Sequence, residues 1–175
     1  LVDQSASMAS SVVYAGIIGS ILASLRSLRT HLILFDTSVV DLTGKIQDPV
    51  DLLFAAQLGG GTDIARALTY TQQLIHRPAD TTIFLVSDLY EGGMVSDLLE
   101  RVDTIRASGA SLISLLALND EGAPAFDREV AGQFARRDLP AFACSPDQFP
   151  ELLAAVLQGQ ELQQWLGKAG IAVKN

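Results

Sequence analysis

The chain has 175 residues, of which 49% are hydrophobic and 18% are charged. This composition excludes a disordered protein and predicts a single domain over residues 1–175, large enough to need neither a disulfide nor a structural metal. The net charge of −8 disfavours nucleic acid as a partner, because an acidic surface repels phosphate backbones. The single cysteine, Cys144, cannot form an intramolecular disulfide and favours a reducing, cytoplasmic location.

No membrane insertion is expected. The longest apolar run, residues 12–25, is too short to span a bilayer and is interrupted by glycines and serines. A secretory signal would begin with positive charge, whereas Asp3 precedes this run and Arg26 follows it. The opening residues, Leu1-Val2-Asp3, are typical of the end of a strand, so we expect the chain to be the C-terminal part of a longer protein.

Short apolar runs alternate with longer helical patterns along the chain, which is typical of βαβ units and a mostly parallel sheet. A gap of three residues, Asp36-Thr37-Ser38, separates two short strands and predicts a hairpin with one antiparallel edge strand. The sequence therefore predicts an α/β fold with six strands. In chain order, the predicted elements are strand 1–3, helix 10–28, strands 31–35 and 39–42, helices 49–57 and 63–76, strand 82–86, helix 94–107, strand 111–118, helix 127–137, strand 141–144, and helices 146–157 and 161–168.

Polar side chains gather at three junctions between these elements. Asp3, Ser5 and Ser7 follow the first strand, Thr62 opens a helix, and Asp88 ends strand 82–86. Ligand sites in such sheets lie at the carboxyl ends of the strands, where the strand order reverses. Because these side chains offer only carboxylate and hydroxyl oxygens, they predict a Mg²⁺ site that Mn²⁺ can also occupy, and they disfavour zinc.

Each of the three clusters also has an ordinary structural explanation. An Asp-x-Ser-x-Ser sequence is common at helix N-caps, and Gly59-Gly60-Gly61 with Thr62 can form a turn that ends in a capping residue. A strand that ends at Asp88 is not unusual. Their joint occurrence at element junctions favours the metal site. The glycines do not have phosphate-loop or dinucleotide-binding spacing, and Glu91 is not assigned as a ligand.

A catalytic role requires a nucleophile or a base beside the cation. His31 begins a strand and is expected at the opposite edge of the sheet, and His76 ends a helix far from the site. Cys144 is expected to be a buried thiol. We therefore expect no enzymatic activity; the alternative is a Mg²⁺-dependent phosphohydrolase with Asp3 as nucleophile and Arg66 as its basic neighbour.

The pattern Asp3-x-Ser5-x-Ser7, followed by Thr62 after the glycines and Asp88 after an apolar strand, resembles the metal-ion-dependent adhesion site of von Willebrand factor A (VWA) domains. The resemblance covers nearly the whole chain. It implies a Rossmann-like three-layer α/β/α sandwich, with two serines and a threonine as direct ligands and two aspartates that hold the metal's waters.

Residues 60–68 and 84–93 resemble the bacterial CoxE-like branch of this family. That resemblance implies a docking module whose Mg²⁺ accepts an Asp or Glu from a protein partner. It also implies cooperation with a MoxR-type AAA+ ATPase in the maturation or remodelling of another protein complex. One departure is Ala6, which stands where many members have glycine. A metal that only stabilises the fold is a third interpretation.

Overall fold

A six-stranded sheet forms the centre of the protein in the computed structural model, which describes residues 1–25, 28–44, 59–119, 122–139 and 141–171. The strand order is β3-β2-β1-β4-β5-β6. Strand β3 runs antiparallel to β2, and the other neighbouring pairs are parallel, which confirms the predicted α/β fold with an antiparallel edge strand. The strands are β1 (Val2–Asp3), β2 (Ile33–Phe35), β3 (Val39–Asp41), β4 (Thr82–Ser87), β5 (Ser111–Leu116) and β6 (Ala141–Ala143).

Helices cover both faces of the sheet and bury two apolar cores. Successive side chains of a strand point to opposite faces, so Val86 packs on one core and its neighbour Leu85 on the other. This is why β4 is apolar almost throughout. The first core contacts α1, α5 and α6, and the second contacts α2, α3 and α4. The helices are α1 (Val12–Ala23), α2 (Ile64–Gln72), α3 (Val95–Ala107), α4 (Arg128–Ala135), α5 (Phe149–Leu157) and α6 (Leu162–Ala169).

The predicted helix 10–28 is too long at its C-terminal end. The segment Ala6–Ser11 is a 3-10 helix, and α1 ends at Ala23. There the Ser24 hydroxyl donates to the Ile21 carbonyl at 2.7 Å, a local bond that competes with continuation of the helix. Helix α2 likewise ends at Gln72, before the predicted limit of 76, and the predicted helix 49–57 lies outside the described residues.

The sheet topology determines where a ligand site can lie. Strand β1 sits between β2 and β4 and is parallel to both, with Asp3 opposite Phe35 and Val2 opposite Val86. The chain leaves β1 towards β2 on one side and returns to β4 on the other, so the strand order reverses at β1. The loops after β1, β2 and β4 therefore emerge together at the carboxyl edge. No helix among the described residues is long and apolar enough to cross a membrane.

Candidate metal centre

The carboxylate of Asp3 lies at the centre of the carboxyl edge and is fully buried. Its Oδ1 accepts from the Ser5 backbone N–H at 2.9 Å, and its Oδ2 accepts from the Ser87 hydroxyl at 2.6 Å. The same Ser87 oxygen accepts from the Leu89 N–H at 2.9 Å. Asp3 thus joins the loop after β1 to the loop after β4, two segments that are distant in sequence.

Burial raises the pKa of Asp3 from 3.8 to about 6, against the opposing effect of the hydrogen bonds from Ser87 and Ser5. The neighbouring carboxylate of Asp88 raises the pKa of Asp3 further. Removal from water disfavours the charged form of a carboxyl group, and a nearby cation favours it. A divalent cation bound beside Asp3 and Asp88 would therefore stabilise the charged form of these two buried carboxyl groups.

The two serines of the first loop lie together. The hydroxyls of Ser5 and Ser7 are 3.1 Å apart, with Ser5 buried and Ser7 exposed to solvent. The 3-10 helix that begins at Ala6 turns the chain tightly enough to bring the two hydroxyls to one side. Ala6 itself is exposed and its N–H donates to the Gly60 carbonyl at 3.0 Å, so its side chain is accommodated in this loop.

Thr62 lies in the glycine loop, between the loops that follow β1 and β4, and is 6% exposed. Its carbonyl accepts from the Gly92 N–H at 2.9 Å. A Cβ on Gly92 would lie 2.6 Å from that oxygen, and a Cβ on Gly60 would lie 2.7 Å from Oδ2 of Asp36. At Gly92 the contact is with backbone, so only glycine permits the close approach that holds this loop against Thr62.

Asp88 follows β4 directly and is 4% exposed. Its Oδ1 accepts from the Tyr90 N–H at 3.2 Å, and its carbonyl accepts from the Asp127 N–H at 2.9 Å. The next residue, Leu89, is fully buried with a φ of +62°, in the left-handed region that a leucine rarely adopts. Such strain persists only where the surrounding contacts impose it, and it clusters at functional sites.

The oxygen atoms at this edge fit a hard cation. Within the part of the chain that the structure describes, the Thr62 hydroxyl and Oδ2 of Asp88 make no hydrogen bond, and the hydroxyls of Ser5 and Ser7 are paired with each other. Among the described residues, the fully buried side-chain atoms without a partner are Gln72 Nε2 and Ser114 Oγ, so the Thr62 and Asp88 oxygens keep access to water or to a ligand. The described residues contain no cluster of three or more His, Cys, Asp or Glu suited to a metal. The side chains that the loops bring to this edge offer hydroxyl and carboxylate oxygens, the donors that Mg²⁺ prefers.

Two further residues that the sequence analysis did not assign hold the site in shape. The carboxylate of Asp36 accepts from the Ser38 N–H at 2.6 Å and the Gly60 N–H at 3.2 Å, which ties the hairpin to the glycine loop. The carboxylate of Glu91 accepts from the Ile64 and Gly93 N–H groups, both at 2.8 Å. Burial raises the pKa of Glu91.

The sequence did contain a signal for one of these residues. Asp36 directly follows β2, which is parallel to β1, just as Asp88 directly follows β4. Glu91 carried no such signal, because its role depends on contact with the N-terminus of a helix from another part of the chain.

The histidines lie at the edge of the sheet that the sequence predicts, although His31 precedes β2 and His76 lies beyond the end of α2. His31 and His76 both line a groove of about 500 Å³ at the amino ends of the strands, at the opposite edge of the sheet. Cys144 is fully buried, as expected. None of these three side chains reaches the candidate metal centre.

A six-stranded, mostly parallel sheet with one antiparallel edge strand and helices on both faces is the fold of VWA domains. The family described as "VWA domain containing CoxE-like protein" matches residues 1–153 of the chain. The chain therefore belongs to the CoxE-like VWA family, as its sequence motifs predict.

Two similar proteins extend this result. The chain is 45% identical over 158 residues to the uncharacterized protein YehP of Escherichia coli strain K12. The aligned residues cover 90% of this chain and 42% of that protein. The chain thus spans less than half the length of this relative. The fold also matches a crystal structure from Bacteroides fragilis, that of an aerotolerance-related membrane protein with multiple mutations to serines. The TM-score is 0.53, and the match covers 73% of this chain and 75% of that chain. At 17% identity, this match shows the fold alone.

Proposed function

We propose that this VWA domain is a docking module that binds a protein partner through Mg²⁺. Ser5, Ser7 and Thr62 would contact the cation directly, and Asp3 and Asp88 would hold its waters. An open coordination position would accept an Asp or Glu carboxylate from the partner. The observation that carries the proposal is that the loops after β1 and β4 meet at the buried carboxylate of Asp3, with the paired hydroxyls of Ser5 and Ser7 and the carboxylate of Asp88 nearby.

The arrangement supports binding rather than catalysis. Arg66, the basic residue that a phosphohydrolase would need, is exposed and its guanidinium donates to the Thr37 carbonyl at 2.9 Å. Asp3, the nucleophile of that alternative, is fully buried and accepts two hydrogen bonds. Hydrogen bonds to both oxygens make a carboxylate a weaker nucleophile, while each oxygen can still accept a further bond from a metal-bound water. We propose a non-enzymatic adaptor.

Membership of the CoxE-like family supports the finer part of the proposal. We propose that the domain works in the bacterial cytoplasm with a MoxR-type AAA+ ATPase, in the maturation or remodelling of another protein complex. This assignment rests on the family and on no particular residue.

Metal binding and partner binding are tested separately. Mn²⁺ electron paramagnetic resonance measures cation affinity in the parent and in the double variant Ser5→Ala, Ser7→Ala, which we expect to bind Mn²⁺ at least tenfold more weakly. A control variant, Asp80→Ala, removes a carboxylate at the opposite edge of the sheet and should leave the affinity unchanged. Equal Mn²⁺ affinity in the double variant and the parent would show that the ligands are assigned wrongly.

Partner binding is tested by affinity capture from bacterial lysate in Mg²⁺ and in EDTA, followed by mass spectrometry. We expect a MoxR-type ATPase or its client to be captured only with Mg²⁺. Equal capture in Mg²⁺ and in EDTA would contradict docking through the cation. Turnover of a phosphate ester by the purified domain would favour the alternative function, a Mg²⁺-dependent phosphohydrolase.

A further inference from the structure

Large apolar side chains project into solvent immediately after Asp88. Tyr90, Met94 and Val95 are 47%, 67% and 36% exposed, and we call these three residues the apolar rim. They account for three of the seven exposed large hydrophobic side chains among the described residues. Single exposed apolar residues are ordinary, but a group within residues 90–95, next to a candidate ligand site, is typical of an interaction surface.

The backbone beneath the apolar rim is held in place by the candidate metal centre itself. The Tyr90 N–H donates to Oδ1 of Asp88, and the Gly92 N–H donates to the Thr62 carbonyl. Between them, Glu91 binds the first turn of α2. The rim is therefore fixed relative to two of the proposed ligands, so the domain loses little further backbone entropy when a partner covers it.

The charges around the rim restrict what can cover it. Asp63, Glu91 and Asp97 lie in the loops and first helical turns beside it and outnumber Arg66 in the first turn of α2, and the chain as a whole carries a net charge of −8. A carboxylate that reaches the cation is attracted, whereas a second acid next to it meets these like charges. A partner segment with one carboxylate and apolar neighbours is thus complementary to this surface in both charge and polarity.

We propose that the apolar rim selects the partner: it binds a large apolar side chain adjacent in sequence to the carboxylate that reaches the cation. The occupant is a peptide segment of another protein that carries one Glu or Asp, a large apolar neighbour and no second acid. This inference rests on the proposed Mg²⁺-dependent docking, and it adds the residues that determine specificity.

Three fluorescein-labelled peptides test the inference by fluorescence anisotropy, each in Mg²⁺ and in EDTA. The first has a glutamate flanked by leucines, the second has a glutamate flanked by serines, and the third has a glutamine flanked by leucines. In Mg²⁺ we expect the first peptide to bind about tenfold more tightly than the second, which corresponds to about 1.4 kcal/mol. Partial burial of one apolar side chain supplies an effect of this size.

Variants of the rim separate this inference from the function beneath it. Tyr90→Ser combined with Met94→Ser should reduce the affinity for the leucine-flanked peptide to that for the serine-flanked one, and should leave Mn²⁺ affinity unchanged. Leu157→Ser is the matched control, since Leu157 is 52% exposed and lines the groove at the opposite edge.

Results against the role of the rim differ from results against Mg²⁺-dependent docking. Equal affinity for the two glutamate peptides in Mg²⁺, or a tenfold preference that survives in the double variant, overturns the role of the rim and leaves Mg²⁺-dependent docking intact. Binding that is the same in EDTA or with glutamine, or no binding of any peptide, counts against docking through the cation and removes the basis of the inference with it.

Discussion

Replacing Asp3 by asparagine is expected to stabilise the metal-free protein at neutral pH. Asp3 is fully buried, and burial raises the pKa of its carboxyl group from 3.8 to about 6. Keeping this group ionised in the folded state at pH 7.5 costs roughly 3 kcal/mol, at about 1.4 kcal/mol per unit of pKa. An asparagine is uncharged, so it does not carry this cost.

The substitution also weakens one hydrogen bond. The amide oxygen of the substituted side chain can still accept from the Ser5 N–H, but an NH₂ group replaces the oxygen that accepts from the Ser87 hydroxyl. Loss of one such bond costs about 1 kcal/mol. The net gain is therefore about 2 kcal/mol, which raises the melting temperature by about 4–8 °C in a domain of this length.

The sign of the pH dependence follows from the raised pKa of Asp3. The folded state favours the protonated carboxyl group, so the parent has no penalty below pH 3.8 and loses stability as the pH rises through about 6. The advantage of Asp3→Asn is consequently expected to disappear near pH 4. Added Mg²⁺ should stabilise the parent alone, by about 1.4 kcal/mol at ten times the dissociation constant.

The measurement is thermal unfolding, followed by circular dichroism, of the chelated parent and of Asp3→Asn at pH 4 and pH 7.5. Asp80→Asn is the control for removal of a charge, because Asp80 is exposed and lies at the opposite edge. The reasoning is refuted if Asp3→Asn melts well below the parent at pH 7.5, or if the difference between them is the same at both pH values. The first result would mean that the Asp3 carboxylate stabilises the fold, and the second would mean that folding does not raise the pKa of Asp3.

Four further variants test other parts of the structure. Asp88→Ala should abolish Mg²⁺-dependent partner capture while the circular dichroism spectrum is unchanged, because Asp88 lies beyond the end of β4; loss of the spectrum would make it structural. Gly92→Ala should weaken Mn²⁺ binding severalfold, since its Cβ meets the Thr62 carbonyl, whereas Gly132→Ala in α4 has open space and should add about 0.5–1 kcal/mol of stability in urea unfolding. Ser114→Ala removes a buried hydroxyl that has no hydrogen-bond partner among the described residues, and should leave the free energy of unfolding unchanged or raise it by about 1 kcal/mol.

The sequence by itself predicted the fold class and the candidate ligands, because both predictions depend on patterns among residues that are close together in the chain. Alternation of apolar runs with helical spacing depends on neighbouring residues, and β4 is a continuous apolar run since helices cover it on both faces. Ser5, Thr62 and Asp88 stand at junctions that the same local periodicity marks. The end of α1 was missed because apolar spacing continues past Ala23 while the serine hydroxyls compete for the backbone.

Only the tertiary structure decided how these residues meet. Asp3 and Ser87 are 84 positions apart, and their hydrogen bond exists because β1 pairs with β4. The raised pKa of Asp3 likewise comes from burial in the folded structure, against the effect of this hydrogen bond. The roles of Asp36 and Glu91 likewise depend on contacts between loops from different strands. Strand order is set by the packing of both sheet faces at once, a long-range property that no local window of sequence contains.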